Sequence, residues 1–166
     1  GAVGADPLMG DGAGILVQIP DRFFREEMAS QGVTLPKAGE YAVGHFFLPR
    51  DAEQIEHFKK VIIDVIAEEG QQFLGFRDVP VDNSSLSKAA DIAATEPYHL
   101  QVFIGAGRDA ATNAEFERQL FLVRKVISNR IYDQFGGQET GFYPVSLSSS
   151  TIVYKGMFLA YQVGGY

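Results

Sequence analysis

The chain has 166 residues, 46% of them hydrophobic and 12% aromatic, which is enough for one real core and too short for two ordinary domains. With 14 basic against 21 acidic residues the net charge is −7, so nucleic acid is not an expected partner, and no apolar run approaches the roughly 20 residues of a membrane span. The absence of cysteine excludes disulfides, cysteine-based zinc or iron–sulfur sites and a thiol nucleophile within this chain, and residues Gly1 to Asp6 lack a basic leader, so a cytoplasmic location is expected.

Behind a glycine-rich opening, Ile15-Leu16-Val17-Gln18-Ile19-Pro20 has the length of a single buried strand. Asp21 is placed to cap the next helix, which runs to about Gln31. Phe24, Met28 and Phe23 lie toward one side of it, Arg25, Glu26 and Glu27 lie outside, and Gly32 is the stop. Tyr41 to Pro49 reads as a second strand, and its apolar residues do not alternate with polar ones, which predicts burial on both faces. Asp51 and Gln54 have capping-box spacing and open a helix to Glu69. Ile55, Phe58, Ile62, Val65 and Ile66 form its buried stripe, Glu56 and Lys60 pair on its wet side, and Gly70 ends it.

Phe73 to Val81 reads as a third strand, with Gly75 and Pro80 marking a bend or an edge. A short Ala-rich helix is predicted over Ser85 to Thr95, stopped before Pro97, and Tyr98 to Ile104 alternates as a fourth strand. Thr112 and Glu115 form a second capping box and open the longest helix. Phe116, Leu120, Val123, Ile127, Ile131 and Phe135 recur on one face of it, and Gly136-Gly137 end it. Phe142 to Leu147 and Ser150 to Tyr154 are strand-like around a serine cluster; Lys155-Gly156 is expected to turn the chain into a short helix from Met157 to Val163. There is no repeat, low-complexity tract or linker. The pattern predicts one layered α+β unit with helices Asp51 to Glu69 and Thr112 to Phe135 flanking a mixed sheet.

Gly10-Asp11-Gly12-Ala13-Gly14 invites a phosphate-loop reading, but a phosphate loop runs from a strand into a helix and ends in Lys-Ser/Thr. Here a strand follows, so a tight turn is the better reading. His45, His57 and His99 show no paired metal spacing and are expected to be structural. Ser146-Leu147-Ser148-Ser149-Ser150 lacks a nucleophile elbow and reads as a turn.

Two stretches carry more. Residues Gly1 to Ile15, with Gly10-Asp11-Gly12-Ala13-Gly14 at their centre, resemble the segment just inside the glutamine amidotransferase domain of glutamate synthase large subunits, where Gly1-Ala2 would finish a His-Arg-Gly-Ala motif. Ser146 to Met157 resembles a second hallmark of that family, and Phe46-Phe47-Leu48-Pro49 and Gly75 to Val81 match between them in order. The resemblance implies a class II amidotransferase of the N-terminal-nucleophile hydrolase type, an αββα sandwich, with residues 1–166 as the interior of a single domain incomplete at both ends. In that family an N-terminal cysteine attacks the glutamine side-chain amide with its α-amino group as base. The ammonia released aminates 2-oxoglutarate reductively to glutamate at a flavin site.

The resemblance puts the nucleophile, the carboxylate-gripping arginine motif and the oxyanion pair outside this chain. No catalytic residue is carried over, no metal ligand is expected, and only Asp11 and Gly12 are candidates for a substrate-pocket wall. Where the family pattern carries arginine this chain has Ser150, which cannot replace a fork of donors. FMN and an iron–sulfur cluster are implied for the parent enzyme and none for this segment. The implied partners are glutamine, the remaining domains of the large subunit and a homo-oligomer. The competing readings are a standalone binding module that kept the fold without the chemistry, and an independent enzyme using a serine of the 146–150 cluster with His99 as base.

Overall fold

A computed structural model describes residues 11–84, 94–108 and 110–158. Among the described residues the elements follow in the order β1 (Asp11–Gln18), α1 (Asp21–Ser30), β2 (Tyr41–Leu48), α2 (Ala52–Glu68), β3 (Gln72–Asp78), β4 (Tyr98–Gly105), α3 (Asn113–Gln134), β5 (Tyr143–Ser148) and β6 (Thr151–Phe158). The predicted helix over Ser85 to Thr95 falls almost wholly outside the described residues.

The strands form two sheets, a four-stranded one in the order β3-β4-β2-β5 and a two-stranded one of β1 and β6. Every pairing among the described residues is antiparallel, which corrects the expected mixed sheet. The reason is topological: β2 and β3 are joined through α2 and run the same way, but β4 inserts between them and pairs antiparallel with both.

β2 and β4 are buried on both faces, so the large sheet has a core on each side. On one side the stripes of α2 (Phe58, Val61, Ile62, Val65, Ile66) and α3 (Phe116, Leu120, Val123, Ile127, Ile131) meet Ala42, Phe46, Leu48, Leu100, Val102 and Ile104. Both long helices thus share one face instead of flanking the sheet. On the other side Tyr41, Val43 and Phe103 meet Phe24 and Met28 of α1 and Ile152 of β6. The order helices, sheet, sheet is that of the layered α+β sandwich.

Helix ends follow the sequence signals closely. Asp51 accepts from the Gln54 backbone N–H at 2.9 Å, and Thr112 with Glu115 makes a full capping box. Gly32, Gly70, Gly136 and Gly137 follow helix ends with φ between +63° and +80°, a conformation that costs other residues.

Several local expectations are corrected. Asp21 is the first residue of α1 and Pro20 holds the cap position. The Asp21 carboxylate turns to Arg25 and Tyr41 instead. On α2, Lys59 pairs with Glu56 and Lys60 with Asp64, because Lys60 has a carboxylate one turn onward as well as one turn back.

Asp11 to Gly14 are not a tight turn but the start of β1, extended and paired residue for residue with β6. Nor is β1 a buried strand. Ile15 and Val17 are half-buried toward the large sheet, whereas Gly12, Gly14, Leu16 and Gln18 face outward and Leu16 is 67% exposed. Lys155-Gly156 does not turn the chain, since pairing with Gly14 and Ala13 carries β6 on to Phe158; the remainder of the expected helix to Val163 lies outside the described residues.

Candidate functional site

The face between the two sheets changes character along β2. Past the dry cluster around Val43 and Phe103, the inward positions become His45, facing Gln101 across the ladder, and Phe47, facing His99. His45 is fully buried, with Nδ1 2.8 Å from the Val153 carbonyl oxygen of β6. A carbonyl only accepts, so Nδ1 carries the proton and Nε2 is left as a bare lone pair, buried and without a partner among the described residues. The His45 ring centroid lies 5.5 Å from those of Phe47, His99 and Tyr154. Burial drives this imidazole down to about 4, the Val153 carbonyl opposes the shift, and the neighbouring His99 adds to it. His99 is lowered too, first by burial, with Glu96 opposing and Arg50 adding.

Gln101 is also fully buried and links three elements. Its Oε1 accepts from Arg77 Nη1 at 3.1 Å and its Nε2 donates to the Tyr154 hydroxyl at 3.0 Å. Arg77 reaches on to Glu27 of α1 at 2.8 Å and lies over the Phe23 ring. α1 can approach this closely because β3 presents Gly75 to it, where an added Cβ would stand 2.8 Å from Met28 Cε. The chain Glu27, Arg77, Gln101, Tyr154 therefore fixes α1, the neighbouring strands β3 and β4 and the small sheet in one register.

The two backbone groups of Val153 are both taken by side chains of the large sheet. Its N–H donates to Ser146 Oγ at 3.0 Å and its carbonyl accepts from His45. That closes the edge of β6 where it passes the large sheet.

The serine cluster builds the turn from β5 to β6. Glu117 Oε1 on α3 accepts from Ser148 Oγ (3.0 Å), Ser149 N (2.7 Å) and Ser149 Oγ (2.6 Å), and Asn113 donates to Ser149 Oγ. Ser148 Oγ in turn accepts from the Ser150 N–H. These hydroxyls hold backbone, and His99 packs on Phe47; among the described residues no hydrogen bond joins His99 to a serine, so the serine-nucleophile reading finds no support.

Beside this turn lies an open cleft of about 230 Å3 lined by Gln18, Ile19, Asp21, Ala38, Gly39, Tyr41 and Ser149 to Thr151. Its carboxylate is already engaged. Asp21 accepts from Arg25 Nε and Nη2 and from the Tyr41 hydroxyl, and the Arg25 bond is the first cause that holds its carboxyl below the usual range. Burial, then Asp21, push the Tyr41 phenol upward. Arg25 also donates to the carbonyls of Leu35 and Pro36, so the cluster straps the loop before β2 onto α1.

Asp11 and Gly12 stand at the other end of β1, on the backbone opposite Phe158 and Met157. The extended strand separates that end from the cleft by roughly 20 Å. Nothing among the described residues lies within 4 Å of a Cβ added at Gly12. Among the described residues no group of three His, Asp or Glu side chains could hold a metal, and no helix is long and apolar enough to cross a membrane.

The layered α+β sandwich is the fold class that the resemblance implied. Residues 1–166 match the family described as class-II glutamine amidotransferases. The chain belongs to this family. It is 42% identical over its whole length to the glutamate synthase [NADPH] large chain of Bacillus subtilis and covers 10% of that protein. Identity is 40% to the glutamate synthase [NADH] of Schizosaccharomyces pombe, with all of this chain and 8% of the relative covered. It is 37% to a ferredoxin-dependent glutamate synthase of Arabidopsis thaliana, with 99% of this chain and 10% of the relative covered. The chain thus spans about a tenth of these relatives' length.

In this member of the family the described residues are tied together by buried hydrogen bonds between the sheets and α1. The polar seam of His45, Gln101, Arg77 and Tyr154 was not read from the sequence as a unit. Its signal was present as an arginine and a glutamine inside the apolar runs Phe76-Arg77 and Leu100-Gln101-Val102, where a polar side chain must find a buried partner.

Proposed function

We propose that this chain is the interior of the glutaminase domain of a glutamate synthase, and that residues 1–166 form part of one domain whose nucleophile is supplied by the parent polypeptide. In that parent, glutamine loses its side-chain ammonia to thiolate attack, and the ammonia is used for reductive amination of 2-oxoglutarate to glutamate. The observation that carries the reading is the match to three glutamate synthases over essentially the whole chain.

This chain's own task is to hold the two sheets in register. Asp11 and Gly12, at the start of β1, would stand as wall beside glutamine; among the described residues no atom comes within 4 Å of a Cβ at Gly12, which suits a place beside a substrate. Neither an iron–sulfur cluster, which needs thiolates that this chain lacks, nor FMN is assigned to these residues. Both belong to the remaining domains, which are the partners this reading assigns. A cytoplasmic location goes with it.

The test uses the full polypeptide that contains this chain. Glutamine-dependent ammonia release and glutamate formation from 2-oxoglutarate are expected, together with a raised KM for glutamine in Gly12→Ala. Absence of both reactions would overturn the reading. An unchanged KM would remove Asp11 and Gly12 from the pocket wall while leaving the rest.

A further inference from the structure

The outer face of α3 is not the polar surface expected of a helix packed on one side only. Counting about 100° per residue, Phe116, Leu120, Val123, Ile127 and Ile131 point to the core, and Arg118, Phe121, Leu122, Lys125 and Tyr132 fall within roughly 100° of arc on the opposite side. Phe121 is 58% exposed, Tyr132 60% and Leu122 45%, whereas among the described residues no other helix or strand shows more than one large hydrophobic so exposed. Lys125 holds its ammonium over the Phe121 ring.

The charge on this face is also out of keeping with the rest. The chain carries −7, yet the patch holds two cations, Arg118 and Lys125, that form no ion pair among the described residues. The other basic residues of α3 are engaged, Arg130 with Glu68 and Arg124 with the Pro144 carbonyl. Two aromatics and a leucine beside unpaired cations make a surface that suits an apolar partner rimmed with carboxylates.

We propose that this face of α3 docks an acidic-rimmed apolar surface elsewhere on the same parent polypeptide. The proposal rests on the reading above, in which the natural chain is about ten times longer than this segment. Length outside the segment supplies the partner, and charge complementarity selects its chemistry. Phe121 and Tyr132 enter the apolar depression, and Arg118 and Lys125 meet its carboxylates.

The test is zero-length carbodiimide coupling of the full polypeptide, read by peptide mass spectrometry. Lys125 is expected to form an amide with an Asp or Glu outside these 166 residues, and the exposed Lys60–Asp64 pair serves as the positive control. A mixture of isotope-labelled and unlabelled protein separates contact within one polypeptide from contact with a second copy. In parallel, Phe121→Cys should react with maleimide at least about tenfold more slowly than Arg22→Cys, whose native side chain is 93% exposed. Absence of the Lys125 link, a link found only between copies, or equal labelling rates each overturn the proposal. Glutaminase activity measured on the same preparations tests the functional reading separately.

Discussion

Replacing His45 by asparagine should flatten the acid limb of the stability profile. The asparagine side chain would keep an N–H donor where Nδ1 now serves the Val153 carbonyl, and the exchange removes the proton-binding atom of the imidazole. An ordinary imidazole titrates near 6.5 and His45 is held down to about 4, chiefly by burial. The unfolded chain therefore binds a proton that the folded one refuses. His45 contributes its full stabilisation above about pH 6.5, loses it as pH falls toward about 4, and changes little below. The difference corresponds to about 3 kcal/mol across that window. His99 is lowered in the same sense and remains in the variant, so a shallower slope should persist. The variant also leaves part of the ring's volume empty, a pH-independent cost of roughly 1 to 3 kcal/mol that cancels when one protein is compared between two pH values. Urea unfolding of both proteins between about pH 7.5 and pH 4 measures this directly. Parallel profiles would refute the assignment of acid sensitivity to the buried Nε2.

The other expectations concern the scaffold. Glu117→Ala removes three hydrogen bonds from the turn into β6 and should cost about 2 to 3 kcal/mol by denaturant titration, with amide exchange at Ser149 accelerated. Gly44→Ala places a Cβ 2.7 Å from Val102 Cγ1 and 3.2 Å from Leu147 Cδ1 in the core under α2 and α3, so a loss of roughly 1 to 3 kcal/mol is expected and an unchanged midpoint would contradict the packing. Thr112→Ala opens the capping box of α3 and should cost about 1 kcal/mol. Among the described residues β1 pairs on one edge only and shows Leu16 on its outward face, so the isolated chain should self-associate in sedimentation runs, and Leu16→Lys should shift it toward monomer.

What the sequence determined alone is whatever depends on neighbours a few residues away. The stripes of α2 and α3, the Thr112 and Glu115 box and the glycines after helix ends need only helical periodicity and backbone sterics. Double burial of β2 was legible because no polar alternation interrupts it until His45. The ordered motifs at Gly10 to Ile15 and Ser146 to Met157 already resembled the family the chain belongs to. Other features were settled by partners distant in sequence. Asp11 to Gly14 became strand because β6, some 140 residues onward, offers them a ladder, and that same pairing kept Lys155 and Gly156 extended. Asp21 left the cap position for Arg25 and Tyr41, the second of which reaches it only after the loop has closed. The seam from Glu27 through Arg77 and Gln101 to Tyr154 joins residues up to 127 positions apart, and only the packing of two sheets and α1 brings them within hydrogen-bond reach. A buried polar group takes the partner that tertiary structure delivers, and local sequence carries no record of which partner that will be.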